Sequence, residues 1–185
     1  TTRNVDFGWL ADFLGPCVDA APDQAFARPK LQKAPDFTPI VLNPGNQIIH
    51  PARLWGRFVD EDMSTPFKKG SLGSLYGDFD DRSAEALQGL DDELQAIRAA
   101  LHDACPELDV SHAHPIRERI LAQYGDQVAD PSSLCTIMAT NSAYAMAQFP
   151  VLKVEGGVML NIDHRVVQDD ISHGLVPLKD IAMQL

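Results

Sequence analysis

The stretch from His164 to Pro177, HRVVQDDISHGLVP, sets two imidazoles, one guanidinium and two adjacent carboxylates among Val166, Val167, Leu175 and Val176. A bland loop rarely concentrates so many titratable groups beside apolar ones. Arg165 carries a fixed charge on a planar fork that suits a substrate carboxylate; taken alone, it reads first as a surface salt-bridge partner. Asp170, directly before Ile171, reads as a helix N-cap, with Asp169 the competing and more solvated candidate. A second stretch, VLNPGNQIIHPARLWGRF, lies far upstream and places His50 in an apolar setting. An imidazole titrates near neutrality and is the natural proton shuttle. On its own, however, His50 reads more readily as a hydrogen-bonded core or cap residue.

The remaining candidates carry weaker chemistry. His112 and His114, in SHAHP, are spaced to chelate a metal from an extended chain, but no acidic third ligand accompanies them; a surface loop or helix cap is the favoured reading. No G-x-S-x-G elbow spans Ser111 to Ser142. The glycines of GSLGSLYG follow no apolar strand, so that segment reads as a turn and not as a phosphate cradle. Neither a GxGxxG after a strand nor a Walker-type loop is present. The cysteines, Cys17, Cys105 and Cys135, are odd in number and widely spaced. That pattern argues against a disulfide framework or a cysteine zinc site, and for buried free thiols in a reducing, cytoplasmic compartment.

The elements that must position these groups are mostly helical. Asn43 and Pro44 form an N-cap and first-residue pair. The helix they open holds Asn46 and His50 one turn apart on one face. Pro51 disfavours helix at His50, so the spacing predicts a kink there, with a second helical piece at ARLWGRFV. Ser83 caps the longest helix, whose Leu87, Leu90, Leu94, Ile97 and Leu101 follow the helical period. HPIRERILAQYG closes at Gly125, and PSSLCTIMATNSAYAMAQF reads as one buried helix up to Pro150. VLKVEGGVMLN reads as a small hairpin or an extended crossing segment. A last helix opens at Pro177. Upstream, VDFGWLADFL suggests a short helix, followed by an irregular Pro- and Ala-rich connection. The expected organisation is a junction segment over residues 1–40 and an all-α domain over 41–185.

Composition bounds the rest. The 185 residues suffice for one domain with a real core. A net charge of −11 repels phosphate backbones, which argues against a nucleic-acid partner. The absence of a long apolar run and of a polybasic cluster argues against a membrane. The chain lacks an initiator Met and a signal peptide, so a processed chain or an excised fragment is expected.

Taken together, the two chemical stretches resemble the octopine/nopaline (opine) dehydrogenase family. LNPGNQIIHPARL is similar to the N-x-x-x-H-P helix that opens that family's all-α second domain. HRVVQDDISHGLVPLKDIA is similar to its closing motif, and LDDELQAIRAAL to its central helix. Asn46, His50, Arg165, Asp170, Gly174, Leu175, Val176 and Pro177 fall on the motifs in order. The resemblance implies a two-domain enzyme that reductively condenses an amino acid with a 2-keto acid. NAD or NADP would be bound by an N-terminal Rossmann domain absent from this chain, so the chain alone would have little activity. It further implies His50 as acid/base, Asp170 as the carboxylate that orients it, Arg165 as the keto-acid clamp, and Asn46 as a hydrogen-bond donor to substrate or cofactor amide. Asp169 stands where the family usually has Glu, and Val166 where it usually has an aromatic residue; both bear on the amine pocket. A non-catalytic helical interaction module and a different two-domain keto- or hydroxy-acid reductase remain alternatives.

Overall fold

The computed structural model describes residues 38–185. The chain divides into two units, residues 1–37 and Thr38–Leu185, and the architecture below is that of the second. The expectations for VDFGWLADFL, the connection after it and Cys17 fall outside the described residues.

The unit is helical, with one small hairpin. Its elements are α1 (Thr38–Val41), α2 (Asn46–Phe58), α3 (Asp81–Ala104), α4 (Ile116–Tyr124), α5 (Leu134–Thr140), β1 (Val151–Val154), β2 (Gly157–Leu160), α6 (Arg165–Val167) and α7 (Val176–Ala182). A π-helical segment, Gln168–Leu175, joins α6 to α7 without a break. Among the described residues no helix is long and apolar enough to cross a membrane.

Helix α2 is the centre of the fold. Ile48, Ile49, Ala52, Leu54 and Phe58 are buried along it and join Leu87 and Leu94 of α3, Ile137 and Met138 of α5, and Val166 and Leu178 of the C-terminal helices in one core. This burial explains a departure from the expected two pieces: α2 runs as one continuous helix through Pro51. The proline removes a single bond, the one to the Gln47 carbonyl, and its fixed φ suits a helix; packing outweighs the loss. Where α2 crosses α3, Gly56 is obligatory. A β-carbon there would stand 2.7 Å from the Ser83 backbone nitrogen and 2.8 Å from its Cα.

Several caps differ from those the sequence predicts, because tertiary contacts compete for the capping side chains. Gly45, not Asn43, precedes α2. Asn43 instead ties the 112–114 loop, donating to the His112 carbonyl at 2.8 Å and accepting from the His114 amide at 3.2 Å. Asp80 caps α3 by accepting from the Ser83 amide, while Ser83 itself is buried at the α2 crossing. The expected long helix up to Pro150 is short: α5 opens on a Ser133–Thr136 capping box and ends at Asn141. The Asn141 side chain then caps a 3-10 turn at Ser142–Tyr144. Helix α4 closes at Gly125 with a right-handed φ of −58°. The hairpin forms around Gly156, whose φ of 86° is left-handed. Cys135 is half-buried, but Cys105 is exposed rather than buried.

Candidate functional site

His50, on α2, is 5% exposed and has both ring nitrogens engaged. Nδ1 lies 2.6 Å from Oδ2 of Asp170, and Nε2 lies 2.6 Å from the hydroxyl of Tyr76. A carboxylate only accepts, so Nδ1 carries the proton; in the neutral ring Nε2 then accepts from the phenol. Burial pulls the imidazole's proton affinity below its ordinary value, and the positive charge of Arg165 acts in the same direction. The bond and charge of Asp170 oppose them without prevailing. At neutral pH His50 is therefore an uncharged base.

The closing motif reaches His50 through its winding. His164 caps α6, its Nδ1 accepting from the Val166 amide at 3.3 Å. The chain then widens into the π-helical segment, in which the Val176 amide bonds back to the Ile171 carbonyl. Such segments accommodate an extra residue per turn and recur at functional sites. Asp170 is thus not the N-cap of a final helix but an interior residue of that segment. Gly174 lets the segment lie on α2: a β-carbon there would meet Gln47 Cβ at 2.7 Å. The pairs Gln47–Gly174 and His50–Asp170 run in opposite directions, so the two segments cross antiparallel.

Arg165 stands at the start of α6, exposed. Among the described residues its guanidinium makes no ion pair, yet its charge is felt at His50. Asn46 is exposed at the first turn of α2, and among the described residues its side chain has no hydrogen-bond partner. The structure thus joins His50 and Asp170 directly, sets Arg165 within electrostatic reach, and leaves Asn46 at the mouth of the same helix.

Tyr76 is the site residue that sequence reasoning missed. It belongs to GSLGSLYG, where the signal was one aromatic ring in a glycine- and serine-rich turn. Three anchors hold it. Arg53, one turn after His50 and fully buried, donates to the Leu75 carbonyl at 2.7 Å and the Ser74 carbonyl at 3.3 Å. The Leu75 amide bonds the Ala147 carbonyl at 3.1 Å. The ring stacks on Tyr144 at 4.7 Å between centroids, and Tyr144 meets Tyr124 edge-on at 5.3 Å. All three tyrosines of the chain form this row. Burial raises the Tyr76 phenol well above its ordinary range and pushes Tyr144 up to about 12, so both stay protonated at any working pH.

His112 and His114 do have acidic neighbours, but separate ones: Asp109 at 3.4 Å and Glu118 at 4.0 Å. Among the described residues no group of three or more His, Cys, Asp and Glu side chains is gathered as a metal site. Nor do those residues include a glycine-rich strand-to-helix loop fit to cradle a dinucleotide.

The comparisons with known proteins agree with this architecture. A protein of Sinorhizobium fredii of uncharacterized function is 32% identical over 155 residues, covering 81% of this chain and 40% of its own length. Octopine dehydrogenase of Mizuhopecten yessoensis is 29% identical over 157 residues, 85% of this chain and 38% of the relative. The chain therefore spans about two fifths of the length of the curated relatives it matches. A solved octopine dehydrogenase in complex with NADH and agmatine superposes with a TM-score of 0.75 at 26% identity, over 85% of this chain and 38% of that one. Complexes of octopine dehydrogenase with NADH and L-arginine, and with NADH and pyruvate, give TM-scores of 0.74 and 0.70. The family described as NAD/NADP octopine/nopaline dehydrogenase, alpha-helical domain, matches residues 33–185, and the chain belongs to it.

Proposed function

We propose that this chain is the substrate-binding and catalytic helical part of an NAD(P)-dependent oxidoreductase that condenses an amino acid with a 2-keto acid and reduces the imine. One observation carries the reading: a buried, neutral imidazole bonded to a carboxylate at 2.6 Å, with an unpaired arginine within reach of its field. The relatives named octopine dehydrogenase, one of them bound to NADH and L-arginine and one to NADH and pyruvate, supply the substrate class.

The chemistry follows from the protonation states. An amino acid arrives as an ammonium and must lose a proton before it attacks a carbonyl. Neutral His50 takes that proton, and Asp170 stabilises the resulting imidazolium. The amine adds to the keto carbon. His50 then returns the proton to the departing hydroxyl, which leaves as water and completes the imine. Arg165 holds the keto-acid carboxylate through two parallel hydrogen bonds, and Asn46 donates to a substrate or cofactor amide. A nicotinamide nucleotide bound on an N-terminal Rossmann domain would supply the hydride. Met146 and Ile162 are strongly exposed apolar residues, each within three positions of Tyr144 or Arg165, and suit such a docking face.

The test is His50→Ala in an enzyme carrying the nucleotide domain, followed by amine-dependent NADH or NADPH oxidation. We expect kcat to fall by about 10²–10⁴-fold. An unchanged rate would reduce His50 to a structural role, and turnover without an amine would point to a simple keto-acid reductase.

A further inference from the structure

The ring nitrogen of His50 that remains for proton exchange is not open. Nδ1 is committed to Asp170, and Nε2 faces the Tyr76 hydroxyl at 2.6 Å. That hydroxyl is buried and, among the described residues, has no other hydrogen-bond partner. It is also held firmly in place, by Arg53 on the Leu75 and Ser74 carbonyls, by the Phe79 amide on the Tyr76 carbonyl at 2.8 Å, and by the stack on Tyr144. A phenol placed this rigidly against one nitrogen constrains what the ring can do.

We infer that Tyr76 is the positioning residue of the His50 acid/base, latching Nε2 so that the ring rests as the neutral Nδ1–H tautomer and accepts a proton only when the phenol gives up its bond. The inference rests on the acid/base reading of His50. Its physical basis is an asymmetry. In the neutral state the phenol O–H donates to Nε2 and both ring nitrogens are satisfied. In the charged state Nε2 becomes a donor, and the phenol O–H must turn away into a buried space where no described residue stands as its acceptor. A hydrogen bond made to the neutral form disfavours the charged one. The restraint is lifted when the phenol O–H turns from Nε2, the phenol oxygen then accepting from the imidazolium Nε2–H. Tyr76 touches His50 and not the reacting atoms, so it acts through the imidazole.

The other charged and titratable groups facing His50 are known. Asp170 comes from the π-helical segment, Arg165 and His164 come from the α6 end, and Tyr144 and Tyr124 stand behind Tyr76. Arg53, on His50's own helix, is committed to Asp80. None of these is altered when the Tyr76 hydroxyl alone is removed, which makes the phenylalanine substitution a clean probe.

The experiment is a pH titration of the His50 ring nitrogens by ¹⁵N NMR on this chain, parent against Tyr76→Phe, with Tyr144→Phe as control. Tyr76→Phe keeps the ring and its stack. We expect His50 in the parent to be the Nδ1–H tautomer and to titrate below the ordinary histidine range. Tyr76→Phe should raise its midpoint by about half to one pH unit, the size of one ordinary hydrogen bond, and Tyr144→Phe should leave it in place. In the enzyme with its nucleotide domain, the acidic limb of kcat should move up by the same amount while KM for the keto acid stays put. An unmoved midpoint in folded Tyr76→Phe, or an equal shift in Tyr144→Phe, overturns the latch. The titration needs no activity, so a failure of the latch is separable from a failure of the acid/base role, which His50→Ala reads independently.

Discussion

Helix α2 carries two buried basic side chains three residues apart, held in opposite ways. Arg53 spends its donors on the protein: the Leu75 and Ser74 carbonyls, the Ser83 hydroxyl and the Asp80 carboxylate. Its guanidinium lies over Phe79 at 5.7 Å and Phe149 at 5.2 Å. It cannot change charge at any accessible pH. His50 has only two side-chain partners, Asp170 and Tyr76, and an unpaired Arg165 nearby. Burial alone does not separate a structural group from a reactive one; what separates them is whether the partners leave a second state available. Arg53 has one state and anchors the loop that brings Tyr76 to His50. His50 has two.

The largest effect that could break this contrast is on stability. Arg53→Met keeps much of the side-chain volume but strands two backbone carbonyls and a buried hydroxyl. We expect a loss of about 3–5 kcal/mol in unfolding free energy, read by urea denaturation. A loss below about 1 kcal/mol would mean that Arg53 is not the anchor.

Each network is also guarded by a glycine, which gives a sharper test. A β-carbon at Gly56 would strike the backbone of Ser83, an Arg53 partner. One at Gly174 would strike Gln47, one turn before His50, at 2.3 Å from Cγ. Either alanine variant should cost about 1–3 kcal/mol through overpacking. Only Gly174→Ala should shift the His50 titration, because only it pries the Asp170 segment away from α2. If both variants move His50 equally, the two networks are one.

The same contrast marks what the sequence could carry. The candidates His50, Arg165 and Asp170 could be singled out because each stands at a fixed offset inside a local motif, and the structure brings His50 and Asp170 together. The helical character was legible because apolar residues recur with the helical period, as at Leu87, Leu90 and Leu94. The misread features are those decided by distant partners. Asn43 has the right side chain for a cap but uses it on His112 and His114. Ser83 looks like a cap, yet Asp80 three residues earlier takes that place and frees Ser83 for Arg53. Pro51 obeys a local rule that core packing overrides. The π-helical winding around Asp170 reads locally as a cap followed by a helix, and Tyr76 reaches His50 only through a loop whose path Arg53 dictates. No local spacing encodes those contacts.

The smallest effect expected concerns pH, and it bears on whether the neutral state of His50 is built into the fold. Burial outweighs the pull of Asp170, so the folded value lies below the unfolded one of about 6.5. Between the two, the unfolded chain binds more protons than the folded chain, and stability rises with pH across that window. The contribution of a neutral His50 is therefore complete above about pH 6.5 and declines as pH falls toward the folded value, by at most about 1.4 kcal/mol per pH unit. Arg53, charged throughout, contributes no such slope. Thermal or urea unfolding of parent and His50→Asn, compared between pH 5 and 8, would read it. The difference between the two chains should shrink as the solution is acidified. If it grows instead, the folded state prefers an imidazolium paired with Asp170, and the resting base would have to be replaced by a resting acid.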